Sequence, residues 1–407
     1  MTQRPALRRL AAAAGLLLSA GAIAQTSPWY VGGAIGVTHE SNLFRSGGNV
    51  AAVPDTLVTT SLLGGIDQPI GRQRVRATAS LRDNRFSDRS ELNNFGYGVN
   101  AALDWATVAR LSGTLSVSAN QSLASFNPGD ELALTKKNVQ RNNAASLSAV
   151  LGTGTRLQFE ASLGWTDITY SAVEFDSREL SQNTASLGAR YALSGTLSAG
   201  LSLSHAEGEY PLATTTRADE FERDALNLNI NWQASGASTI TARLSATRQR
   251  HSQVTNRDFD GLTGLLRWTW RPTGRTSGTL SLTRDNGQDN LNYVIFGPIT
   301  GETDISRVTT SLVATAAYEL TGKIGLRASV NYSDRSISDI RLVNNNVFTQ
   351  VDYRDRGTGA SIGMTWVPLR FLSVNCDLGE QRRRNPTLPS QNYSNRSLGC
   401  SAQATLR

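Results

Sequence analysis

Leu226-Asn227-Leu228-Asn229-Ile230-Asn231-Trp232-Gln233 runs into Ser235-Gly236-Ala237, and this stretch decides the fold. Every second residue is apolar, so the two kinds of side chain fall on opposite faces of an extended strand. A helix repeats every 3.6 residues and would mix them. The apolar face ends on Trp232, and a turn follows at once. The same arrangement recurs along the chain. Alternating stretches descend to Trp105, Tyr191, Trp232, Trp268 with Trp270, Tyr318 and Trp366. Breaks follow at 106–109, 194–195, 235–237, 272–274, 321–323 and 368–369, with two more at Gln68-Pro69-Ile70-Gly71 and Gly152-Thr153-Gly154 that lack the aromatic. Successive breaks lie about 37 to 49 residues apart, which is two long strands, one long loop and one tight turn. A soluble sandwich has no reason to put Trp and Tyr at the same end of each hairpin. A membrane barrel does, because amphipathic rings prefer the boundary between lipid and water.

The sequence therefore predicts an all-β, transmembrane, antiparallel up-and-down β-barrel with short periplasmic turns and long extracellular loops. Eighteen strands are expected, sixteen being the neighbouring even count, centred near Ile35, Leu62, Ala77, Val99, Leu115, Leu147, Ala161, Leu187, Leu201, Leu228, Leu244, Leu266, Leu280, Ala314, Ala328, Ile362, Val374 and Cys400. An even count puts both termini on the periplasmic side. The connections Asn42 to Pro54, Asn127 to Asn138 and Asn286 to Thr303 are polar and long, and face outside. Negative hydropathy is no objection, since only alternate residues of a barrel strand meet lipid.

Residues 1–24 read as a cleaved signal peptide. Arg4, Arg8 and Arg9 precede an apolar stretch from Leu10 to Ile23, and Ala22-Ile23-Ala24 supplies small residues for cleavage. Residues 25–407 are then one outer-membrane barrel of a Gram-negative bacterium, with outer-membrane lipid and the barrel-assembly machinery as partners. The chain has a formal net charge of +7, and only Lys136, Lys137 and Lys323 are lysines, the rest of its basic residues being Arg. No basic tail or compact block suggests nucleic acid.

Barrels of about 16 to 18 strands leave an aqueous channel unless a loop plugs them. The inward residues here are mostly Ser, Thr, Gly and Asn, with Arg74, Arg76, Arg82, Arg156, Arg190, Arg243, Arg267, Arg271 and Arg327 among them. Inward acids are fewer: Asp67, Asp104, Glu160 and Glu319. Two readings stay open. The arginines favour anions in a pore, or they pair with carboxylates and brace the wall. Cys376 and Cys400 share a face on the last two strands, and their midpoint falls in the Pro386 to Pro389 loop, so a disulfide across that hairpin is expected after export.

Nothing favours catalysis, a cofactor or a metal. Gly359-Ala360-Ser361-Ile362-Gly363 spells a nucleophile elbow, but it lies inside an alternating strand with no helix after it. His39, His205 and His251 are far apart in sequence and read as solvated rim residues. Asp258 and Asp260 flank Phe259 and make a weak cation site.

The first strand closes on Thr38-His39-Glu40-Ser41 and continues Asn42-Leu43-Phe44-Arg45. This resembles the β-barrel porin family that includes the EpsL-like exopolysaccharide-operon proteins. The resemblance implies an outer-membrane channel that assists secretion of an exopolysaccharide, here through an Arg-lined lumen, and it carries over no catalytic residue. A small-solute porin, and a non-conducting structural or adhesive barrel that binds surface glycan, are the alternatives, with a polysaccharide or a small anionic solute as the partner.

Overall fold

The computed structural model describes residues 27–48, 50–126, 135–211, 218–253, 257–286, 307–343, 347–386 and 392–407. The expected signal peptide, residues 1–24, and most of the Asn127–Asn138 and Asn286–Thr303 connections lie outside them. Eighteen strands form a single closed antiparallel sheet, in which each strand pairs with its sequence neighbours and β1 (Trp29–Glu40) pairs with β18 (Tyr393–Leu406). All eighteen expected centres fall in the corresponding strands. Closure leaves no unpaired edge, the condition for a sheet to cross lipid.

The two faces differ as alternation requires. Outward side chains include Leu62, Leu187 and Leu203, which are 64%, 70% and 66% exposed. So much apolar surface facing water would drive aggregation; facing acyl chains it is the membrane belt. The inward face carries hydroxyl pairs across adjacent strands, such as Ser116–Ser146, Ser162–Ser186 and Ser329–Ser361, each with Oγ atoms 2.7 Å apart. Ser361 is one of these wall hydroxyls. It sits inside β16 (Val347–Leu369), with no sharp turn or helix to make it a nucleophile.

At one end the connections are short, and there the expected breaks shift by one to three residues. β2 (Asp55–Ile70) keeps Pro69 and turns at Gly71, whose φ of +61° suits glycine. Pro368 stays inside β16 next to a register shift between Trp366 and Leu369, a bulge that tolerates its missing N–H. The turn is then residues 370–371. At these two breaks proline marked the neighbourhood but not the position.

Tyr191, Trp232, Trp268, Trp270, Tyr318 and Trp366 are exposed near this end, and Trp105 is half-buried there. Trp29 belongs with them, outward and 54% exposed at the start of β1, although no turn precedes it to announce it. Trp105 covers Gly113 on β5 (Leu111–Leu123), where a Cβ would come within 2.5 Å of the indole. Trp268 and Trp270 lie side by side with tilted rings on β12 (Phe259–Trp270), and the Trp268 indole N–H donates to Ser238 Oγ at 2.8 Å.

Candidate lumen site

Apolar clusters line the lumen wall toward the long-loop end, and the inward residues toward the short-turn end are mostly polar. Inward Ile168, Leu180, Tyr210 and Phe221, on β7 (Leu157–Tyr170), β8 (Leu180–Ala192), β9 (Leu197–Tyr210) and β10 (Asp219–Ser235), form one buried cluster. Across the barrel, inward Phe86 packs with Leu43, Phe44, Leu92 and Phe126, so the turn after β1 and the helical turn Ser90–Leu92 close over the rim.

Polar networks fill the same end. His251 is fully buried and inward, not solvated as expected from sequence. Its Nδ1 lies 2.8 Å from Asp219 Oδ2 and its Nε2 2.6 Å from Gln249. The Tyr210 ring stacks on it, and Asn286 donates to Gln249. The fold thus brings an Asp to a His across 32 positions, which no local motif could announce. A second buried carboxylate, Asp355, accepts from both Arg335 and Arg383, with Arg335 Nε 2.6 Å away.

The other histidines face outward. His39 Nδ1 contacts Thr56 Oγ1 at 3.1 Å, and His205 sits between Asp224 at 2.7 Å and Glu207 at 3.1 Å. Asp258 and Asp260 are taken up by neighbours: Asp258 accepts from the His251 backbone N–H and Asp260 from Arg250. Among the described residues no cluster of His, Cys, Asp or Glu is arranged to hold a metal.

In the open half the arginines divide into two sets. Four are paired in the wall: Arg74 with Asp67 at 2.6 Å, Arg76 with Asp104 at 2.6 Å, Arg190 with Glu160, and Arg327 with Asp377 at 2.5 Å. Asp377 was missing from the inward acids read off the sequence, though it shares the parity of Asn375. The bracing reading holds for these four.

The other five, Arg82, Arg156, Arg243, Arg267 and Arg271, make no ion pair among the described residues. Arg156 and Arg271 lie just beyond strand ends, at the periplasmic mouth instead of in the wall. Arg271, Arg267 and Arg243 climb from that mouth along β12 and β11 (Ser238–His251). Arg267 lies opposite Thr241 and Arg243 opposite Leu265, so the two guanidinium groups are diagonal neighbours. The surrounding inward residues, Asn229, Asn231, Thr239, Thr269 and Ser281, carry no negative charge. Arg243 is half-buried and its Nε is shielded with no hydrogen-bond partner among the described residues, while Arg267 Nε lies 3.4 Å from Ser281 Oγ. Arg82 lines a recess of about 540 Å³ in the facing wall with Thr78, Ser80 and Asn100.

Cys376 and Cys400 are direct register partners on β17 (Leu372–Arg384) and β18, with Cα atoms 4.1 Å apart and their sulfurs bonded, on the outward face.

Solved structures share the fold of this chain. Pseudomonas aeruginosa OccK2 (OpdF) superposes with a TM-score of 0.50 at 13% identity, over 93% of this chain and 98% of that one. The outer membrane protein OpdK of the same organism gives 0.48 at 14% identity, over 93% and 99%. No protein-family model matches the chain. A search of curated proteins also returns no match. The EpsL-like resemblance therefore gains no support from these comparisons. The residues that carry it have a structural part: the Asn42 backbone N–H donates to Asn395 Oδ1 at 3.0 Å and its side chain to the Ser394 carbonyl at 3.2 Å. They clasp the first loop to the last strand where the barrel closes.

Proposed function

We propose that the barrel is a channel for small anionic solutes. The observation that carries this reading is the row of Arg243, Arg267 and Arg271 on the inward face, which has no acidic partner among the described residues. A guanidinium row with no compensating carboxylate favours anions, and its planar donors suit carboxylates in particular. The wall requires neither a cofactor nor catalysis. The aromatic row at the short-turn end anchors the barrel at the periplasmic interface, and the Cys376–Cys400 bond fastens the last hairpin at the barrel seam.

Secretion of an exopolysaccharide is the weaker reading. A polymer needs a bore that is clear along its whole length, whereas the Tyr210–Phe221 cluster and the buried Asp355 network occupy the outer end. A purely adhesive barrel has no use for an uncompensated basic row in its lumen. Liposome swelling tests the proposal. Small carboxylates should enter reconstituted vesicles several-fold faster than cations of equal size, and equal rates would defeat it.

A further inference from the structure

A second concentration of arginine faces away from the lumen. On the outer half of β15 (Ile324–Val343), β16, β17 and β18, the outward positions hold Arg354, Arg356, Arg382, Arg384 and Arg396, against Asp334 and Glu380 among the residues whose side chains are described. Each acid is already shared. Asp334 accepts from Arg354 at 2.5 Å and lies 3.5 Å from Arg356, while Glu380 takes Arg382 at 2.8 Å and Arg396 at 3.4 Å. Arg384 is exposed and has no acidic partner among the described residues. Moreover, Arg356 and Arg384 are direct register partners. Like charges opposite one another on a sheet destabilise it unless something negative lies between them.

Position says what that is. Immediately below, on the same face, come Tyr332 and then Val330, Ile362, Leu378 and Leu398. Glu380 and Arg396 follow Leu378 and Leu398 by two residues, and Arg382 and Arg384 stand two and four residues higher on β17. At about 3.3 Å per residue along the strand, Arg396, Arg382, Arg356 and Arg384 stand ~7–20 Å above the apolar belt, and Arg354 about 26 Å above Ile362. That is the depth of headgroups in the outer leaflet, where an outward charge costs little. Exposure supports it: the Arg354, Arg356, Arg382 and Arg396 side chains are 62%, 57%, 52% and 72% accessible.

The geometry points to a binding site for a phosphate-bearing glycolipid of the outer leaflet, whose phosphate bridges Arg356 and Arg384 while its acyl chains lie along Ile362, Leu378 and Leu398. Paired guanidinium groups hold phosphate through bidentate bonds.

The test uses the full barrel in detergent micelles doped with diphosphoryl lipid A or with the same lipid stripped of both phosphates. Retained lipid is measured by native mass spectrometry. The wild type should retain the diphosphoryl form roughly 25-fold better, as expected for two arginines each contributing about fivefold near a charged headgroup. The R356Q/R384Q variant should lose that preference, whereas R141Q, an outward arginine elsewhere on the wall, should keep it. Equal retention of the two lipids by the wild type would overturn the proposal without relying on any variant. A double variant that keeps the preference would overturn it as well. Displacement of the lipid by millimolar inorganic phosphate would mean that the site takes the free ion instead.

Discussion

Replacing Arg243 and Arg267 with Gln should weaken the channel's preference for anions. Both side chains face the open half of the lumen, and neither has a carboxylate to neutralise it. An anion passing at roughly 5 Å gains about 0.8 kcal/mol from each arginine in a water-like dielectric. The pair thus contributes about 1.7 kcal/mol at low salt, or a 15-fold effect on anion partition. Screening at about 0.1 M salt, where the Debye length is ~10 Å, reduces this to roughly fivefold. Gln keeps the hydrophilic wall and removes only charge, so folding should survive. The assay is the reversal potential in planar bilayers under a salt gradient. The control removes a compensated pair, Asp67→Asn with Arg74→Gln, which leaves the net charge of the lumen unchanged. The reasoning fails if R243Q/R267Q leaves the reversal potential where it was, or if the compensated control moves it as far.

Trp232→Arg should cost only ~0–1 kcal/mol in folding stability, against ~2–4 for Leu228→Arg on the same face nearer mid-membrane; equal penalties in urea titrations from vesicles would mean that β10 does not cross lipid in this register. Asp355→Ala should destabilise by about 3–5 kcal/mol, because Arg335 and Arg383 lose the buried carboxylate they share; an unfolding midpoint like the wild type's would place that network in water. Tyr210→Ala with Phe221→Ala should raise single-channel conductance by thinning the packed outer end, and an unchanged conductance would put the narrowest point elsewhere. Cys376→Ser with Cys400→Ser should lower the thermal midpoint yet leave a folded barrel, since that hairpin also keeps its ladder of backbone bonds; unfolding of the variant at ambient temperature would contradict this.

The strands were legible because alternation is a local property, and both lipid outside and water inside enforce it residue by residue. Leu226 to Trp232 gives the lipid face with no knowledge of any neighbour. Register and turn position were less legible. Pro368 looked like a break and is a strand residue beside a bulge, because only the pairing with β17 shows where the ladder resumes. The lumen-facing parity of the arginines could also be read directly. Which of them are neutralised could not, since Arg327 meets Asp377 from 50 positions away. The packed outer end was hidden for the same reason. His251 and Asp219 belong to different strands, and their burial depends on aromatic residues from β9 and β10 that read individually as ordinary strand ends.

Single-channel recording of the wild-type barrel in a planar bilayer bears most directly on the central claim, an open lumen with an uncompensated basic wall. Discrete conductance steps with a reversal potential displaced toward that of the anion are predicted. A folded, inserted barrel that stays electrically silent, or one that conducts with cation preference, would contradict the account.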